Sequence, residues 1–188
     1  RQRRGISLFD AEKLMRERNY FAAMMVNQGE ADALLTGYSR SYPSVVKPML
    51  QLIDKEPGVS LIATTNMMMT SRGPMFMSDT AINTNPTSEE LAKIAIMTAK
   101  AAKLFGVEPV IAMISFSNFG SSSNDSANKV REAVDYLHKN HPEMIIDGEV
   151  QADFALNPEM LSKKFPFSKL AGKKVNTLIF PNLESANI

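Results

Sequence analysis

The chain has no cysteine, no tryptophan and only two histidines, His138 and His141, among its 188 residues. The missing thiols exclude disulfides, thiolate nucleophiles and thiolate-bound metals together, and two histidines alone give no zinc site, so no metal ligand set is expected. Any thiol chemistry must enter with a ligand. Charge of one sign is lacking too: 21 basic residues stand against 20 acidic ones, for a net charge of +1. No global field draws the chain to nucleic acid or to an anionic membrane, and an anion site has to be built locally. The apolar runs are too short to cross a bilayer and no secretory h-region opens the chain. The expectation is a cytoplasmic protein with neither nucleic-acid nor membrane partners.

What is present is a hydrophobic content of 44%, enough for a full core. Asp10 can cap a helix running to about Gln28 with Gly29 as its stop, and Ala31 to Thr36 reads as a short buried strand. A helix around Val45 to Ile53 closes at Glu56-Pro57-Gly58. Two strands, Val59 to Met69 and Met75 to Ile82, flank a hairpin turn at Ser71-Arg72-Gly73-Pro74. Thr87-x-x-Glu90 is a capping box that opens a helix to Phe105. A strand from Pro109, a helix from Ser126 to Asn140, a strand from Met144 to Val150, a helical segment near Pro158 to Lys163 and a strand from Asn176 to Phe180 complete an α/β pattern. Arg1 is not an initiator methionine, and Pro181 to Ile188 reads as a strand exit with a helix just beginning. Both features lead to the expectation of a fragment, truncated at both ends.

The densest chemistry lies after the Pro109 strand, where an apolar run ends in Ser117-Asn118-Phe119-Gly120-Ser121-Ser122-Ser123-Asn124-Asp125. Val130, Ala133, Val134 and Leu137 then recur at helical spacing. Such a turn gathers backbone N–H groups and hydroxyls at the positive end of a helix dipole, which suits a phosphate. Ordinary N-capping explains the same residue types. The turn has neither the Gly-Lys-Ser/Thr ending of a Walker loop nor a G-x-G-x-x-G, so the two commonest nucleotide readings fall away. Arg3, with Arg1 and Arg4, and Arg40, beside a strand end, are candidate phosphate ligands; Lys47 faces an anion or caps a helix. Asp147, Glu149 and Asp153 offer carboxylates where a general base can sit, although acids at a turn explain them locally. Met67, Met68, Met69, Met75 and Met77 read as core filler.

Several spaced blocks carry a resemblance. Gly29-Glu30-Ala31-Asp32-Ala33, Pro48-x-Leu50-Gln51, Ser115-Phe116-Ser117, Asp147-Gly148-Glu149-x-Gln151-x-Asp153, Leu178-Ile179-Phe180-Pro181-Asn182-Leu183 and Ala186-Asn187-Ile188 resemble the phosphate acetyl/butyryltransferase family over essentially the whole chain. Ser117-Asn118-Phe119-Gly120-Ser121-Ser122 and Tyr42-Pro43 resemble the variant in the C-terminal domain of bacterial NADP-dependent malic enzymes. The resemblance implies a three-layer α/β/α fold with a mostly parallel sheet, similar to isocitrate and isopropylmalate dehydrogenases. Residues 1–55 with 176–188 are expected in one lobe and 56–175 in the other.

For function, the resemblance implies acetyl-CoA or CoA, or a phosphate, held by Arg3, Arg40, Lys47, Ser117, Asn118, Gly120, Ser121 and Ser122, with Asp147, Glu149 and Asp153 as acid/base candidates. Lys47 stands where the family has an arginine, and the family's later Ser-Arg-Gly element lies beyond Ile188. The expectation is therefore a non-catalytic, acetyl-CoA-binding regulatory and oligomerisation module of a malic enzyme. A preceding malic domain in the same chain and further copies of the protein are the expected partners. NADP and a divalent metal are expected only in that missing domain. The alternative is an active phosphate acetyltransferase that moves an acyl group between phosphate and CoA.

Overall fold

A computed structural model describes residues 5–188. The chain divides into two compact units between Ser60 and Leu61. Among the described residues, no helix is long and apolar enough to cross a membrane.

The first unit is helical. Ser7 opens α1 (Leu8–Met15) with a capping box: its hydroxyl accepts the Asp10 N–H at 3.1 Å and the Asp10 carboxylate accepts the Ser7 N–H. Glu17 then opens α2 (Arg18–Asn27) by accepting the N–H groups of Asn19 and Tyr20 at 2.9 and 3.2 Å. The single helix expected from Asp10 to Gln28 is thus two, because a carboxylate that caps N–H groups ahead of it starts a new helix. Asp10 sits one turn inside rather than at the cap. α3 (Tyr42–Leu52) packs on α2 through Tyr20, whose hydroxyl donates to the Gln51 side chain at 2.8 Å, and through Asn27, which donates to the Leu52 carbonyl at 2.8 Å. Residues 31–36, expected as a strand, are irregular. No other described segment of this unit is extended beside them, and an apolar run without a ladder partner does not hold as a strand.

The second unit is an α/β sandwich around one sheet. Its elements are β1 (Thr65–Thr70), β2 (Gly73–Ser78), α4 (Ser88–Leu104), β3 (Val110–Ile114), α5 (Asp125–Asn140), β4 (Ile145–Val150), α6 (Ala152–Ala155), α7 (Pro158–Lys164), β5 (Thr177–Ile179) and α8 (Leu183–Ala186). The strand order is β1-β2-β5-β3-β4, with the β1-β2 hairpin antiparallel and every other pair parallel. This is the expected α/β class with a mostly parallel sheet. Alternation along β3 decides the layers. Ile111 and Met113 join Leu91 and Ile94 of α4 and Val130, Val134 and Leu137 of α5 on one face. Ala112 and Ile114 join Val150, Leu161, Leu170 and Leu178 on the other.

Two placements differ from the sequence reading. Residues 176–188, grouped on sequence with the first lobe, pack with the second unit, where β5 pairs with both β2 and β3. Met67, Met68 and Met69 are not core: β1 is an edge strand, and they are 42%, 49% and 74% exposed. An edge strand has a neighbour on one side only, so its side chains lack the cover that a central strand enjoys.

Candidate functional site

The carboxyl ends of β3, β4 and β5 meet at a cleft of about 440 Å³, the position where open parallel sheets place ligands. Ser115, Phe116, Ser126, Gln151, Asp153 and Asn182 line it. A larger hollow of about 920 Å³ lies at the amino ends of the strands, beside Arg72, Glu108 and Lys174. Its cations are spent on carbonyls: Arg72 donates to Leu156 and Lys174 to Arg72. The smaller cleft carries the convergent hydroxyls, amides and a carboxylate, so chemistry rather than size selects it.

Beside that cleft the turn from Ser117 to Ser122 closes on itself. The buried Ser117 hydroxyl accepts the Ser122 N–H at 3.1 Å and lies 3.0 Å from the Ser121 hydroxyl, while Ser121 Oγ accepts the Asn118 N–H at 3.0 Å. Asn118 exchanges hydrogen bonds with Gln151: its side-chain N–H₂ donates to the Gln151 side chain, and its carbonyl oxygen accepts the Gln151 backbone N–H at 2.8 Å. Phe119 takes a positive φ of 44°, rare for a bulky residue, and packs on Phe165 and Phe167 with ring centres 4.8 and 5.3 Å away. Gly120 follows with φ of 91°, and open space surrounds the place where a Cβ would stand. Glycine serves the backbone angle there, not the close approach of another group.

The donors expected to face a phosphate point instead at Glu149. This fully buried carboxylate accepts the Gly120 N–H at 2.7 Å and the Ser117 hydroxyl at 2.8 Å. Arg131 of α5 closes on it from the other side, donating from Nε at 3.2 Å and from a terminal nitrogen at 3.1 Å. The same guanidinium donates to the Ser122 carbonyl at 2.9 Å and to the Asn128 side chain at 3.0 Å. Burial pushes the Glu149 carboxyl upward, but the hydrogen bonds from Arg131, the Gly120 N–H and Ser117 outweigh it and hold the group below the usual carboxylate range. Both oxygens of the Glu149 carboxylate are thus engaged by the protein's own donors, an arrangement that favours the charged form.

The register of β4 brings it there. Met113 pairs with Gly148 and Ile114 with Val150, so Glu149 is an extra residue that leaves Val150 on the opposite face of the sheet from Ile146. Gly148, with φ of 151°, lies so close to β3 that a Cβ would come within 2.5 Å of the Met113 carbonyl oxygen.

The remaining predicted residues separate. Asp147 is buried, accepts the Ser168 hydroxyl and the Lys169 N–H, both at 2.8 Å, and is not among the residues that line the cleft. Asp153 is exposed in the first turn of α6 and lines the cleft. Arg40 and Lys47 belong to the first unit, Arg40 paired with Glu17 at 3.6 Å and Lys47 exposed on α3. Arg3 lies outside the described residues. Among the described residues, no three His, Asp or Glu side chains gather as a metal site. Sequence reasoning missed Arg131. The available signal was an arginine wedged between the core residues Val130 and Ala133 of an amphipathic helix.

Comparison with known proteins adds to this geometry. The model of the phosphate acetyl/butaryl transferase family matches residues 1–188. The chain is 38% identical to a phosphate acetyltransferase of Clostridium acetobutylicum, covering 100% of this chain and 58% of that protein. It is 40% identical to the phosphate acetyltransferase of Bacillus subtilis, covering 95% and 55%. A phosphotransacetylase crystal structure from Streptococcus pyogenes superposes with a TM-score of 0.86 at 40% identity, covering 98% of this chain and 57% of that one. The chain thus spans a little over half the length of these relatives. These matches overturn the malic enzyme module, and the preceding malic domain expected as its partner falls with it: the relatives are phosphate acetyltransferases in their own right. The residues behind that expectation have local duties. Asn118 ties two strand exits together, Phe119 packs among aromatics and Tyr42 opens α3.

Proposed function

Because the chain belongs to the phosphate acetyl/butyryltransferase family, we propose that it is part of a phosphate acetyltransferase, moving an acetyl group between inorganic phosphate and the thiol of CoA. The reading rests on one observation above the rest: relatives of that name align along the chain at 38 and 40% identity. The built turn at the carboxyl edge of the sheet supports it. In the acyl transfer, the CoA sulfur bonds to the carbonyl carbon of acetyl phosphate, the bond from that carbon to the phosphate oxygen breaks, and the thiol proton goes to a base. A chain without cysteine fits a reaction whose sulfur arrives with the substrate.

Within this proposal, Asp153 is the base candidate, as the exposed carboxylate in the cleft. Arg40 and Lys47 are candidates for the substrate phosphate, and Ser117 to Ser122 border the acyl-CoA or acyl phosphate site. Lysine neutralises charge without the planar two-point grip of arginine, so Lys47 acts as a point charge. The test is formation of acetyl-CoA from acetyl phosphate and CoA by the full-length protein and its Asp153→Asn variant. The proposal expects turnover by the wild type and a loss of about a hundredfold in the variant. A wild-type rate equal to the enzyme-free blank overturns it.

A further inference from the structure

The groups converging on the Glu149 carboxylate are those a protein assembles to hold a free anion: a backbone N–H in a left-handed turn, a serine hydroxyl, and an arginine that reaches both carboxylate oxygens. The anion in this seat belongs to the chain itself. Three features show it to be built rather than incidental. The extra residue in β4 directs the Glu149 side chain, the close approach of Gly148 to Met113 leaves no room for a Cβ beside it, and Arg131 grips the turn a second time through the Ser122 carbonyl. Ser117 is spent as well. Its one proton goes to Glu149, and its oxygen accepts from Ser122 and sits against Ser121.

We propose that Glu149 is a positioning residue of the acyl-transfer site, a built-in anion that fills the seat of the Ser117–Ser122 turn and fixes its shape, so that the substrate phosphate never uses the Gly120 N–H or the Ser117 hydroxyl. The inference rests on the phosphate acetyltransferase reading, but half of its test does not. With Glu149 removed, a small free carboxylate should take the vacated place, and formate is a suitable probe because it carries no acyl chain to compete in the transfer reaction.

The experiment compares wild type, Glu149→Ala and Glu149→Gln of the full-length protein, each titrated with sodium formate against sodium chloride at equal ionic strength. Thermal melting and the kinetics of acetyl-CoA formation are both read. Glu149→Ala should melt lower than wild type and regain Tm saturably with formate but not with chloride, while the wild type responds to neither. Its KM for acetyl phosphate should rise about tenfold and return toward the wild-type value with formate, with kcat changed less than about threefold. Glu149→Gln keeps an oxygen for Gly120 and Ser117 but faces Arg131 without charge. It should show a raised KM without a formate response, and it carries the test alone if the alanine variant does not fold. A Tm with no specific formate response in Glu149→Ala overturns the seat, and an unchanged KM in either folded variant overturns the positioning role. A wild type with no transferase activity refutes the phosphate acetyltransferase reading and the positioning role that depends on it, while a formate-restored Tm in that case still supports the built-in anion.

Discussion

Two turns at the carboxyl edge of the sheet solve one problem in different ways. The turn after β2 is organised by Asp79, a buried carboxylate that accepts the N–H groups of Ala81, Ile82 and Asn83 at 3.1, 3.3 and 2.8 Å, together with the Thr64 N–H at 3.1 Å. The turn after β3 is organised by Glu149, also buried, but reaching in from another strand and answered by an arginine on a helix. Asp79 gathers most of its donors from the next four residues, in the manner of an Asx turn, and all of them are neutral. Glu149 gathers its donors from a segment about thirty residues earlier and from α5. The first arrangement needs only its own peptide and Thr64, fifteen residues back at the entry to the paired strand of the same hairpin. The second exists only once β3, β4 and α5 are all in place, and it couples the turn beside the cleft to the register of the sheet.

That contrast can be broken or sharpened by mutation. The largest effect is expected for Glu149→Ala, which leaves Arg131, Ser117 and the Gly120 N–H without their acceptor. Urea denaturation should show a loss of about 3 kcal/mol. Gly148→Ala should cost about 2 kcal/mol in the same assay, since the added Cβ meets the β3 backbone at a φ that side chains avoid. A Gly148→Ala protein as stable as wild type would separate the bulge from the Glu149 seat. Asp79→Ala should cost about 1.5 kcal/mol, less than Glu149→Ala because no charged partner is stranded. If the two losses come out equal, the distinction between a local and a long-range carboxylate has no energetic content.

The smallest expected effect is a pH dependence. Burial raises both carboxyls, but hydrogen bonds outweigh it and hold both below their ordinary values, those to Asp79 coming from Thr64, Ala81 and Asn83. A carboxyl whose folded pKa is depressed contributes stability above its unfolded pKa, and that contribution is lost as pH falls through the folded value. Stability should therefore be level above about pH 5 and decline as pH drops below the ordinary values of 4.5 for Glu149 and 3.8 for Asp79. Melting curves from pH 6 to about pH 3 should show a shallower decline in Glu149→Gln and in Asp79→Asn than in wild type. Parallel curves would mean that neither carboxylate is held ionised by its donors.

Much of the architecture is legible in short stretches. The Thr87 capping box and the run of apolar residues behind it announce α4, and the observed helix begins one residue later. The Ser71–Pro74 turn announces the β1-β2 hairpin, whose register pairs Thr70 with Gly73. Errors arose where a local signal had to be weighed against a partner. Ala31 to Thr36 has the composition of a strand but, among the described residues of its unit, no strand to pair with. The β1 methionines have the composition of a core but lie on an edge. For the site, composition left an anion seat and ordinary capping both open at Ser117 to Ser122. The carboxylate that its donors meet, Glu149, stood among the candidate residues only as an acid/base group.

From the sequence alone came the α/β class, the order of the strands and of the longer helices of the second unit, the lack of a protein thiol and the family blocks, because each is written in residues a few positions apart or in composition. Only the tertiary structure decided that β5 lies between β2 and β3, that an extra residue in β4 turns Glu149 toward α5, and that Ser117 and Gly120 are already spent. Those outcomes depend on which donor meets which acceptor across about thirty residues of intervening chain, and a donor's local surroundings look the same whether a phosphate or the protein's own carboxylate will face it.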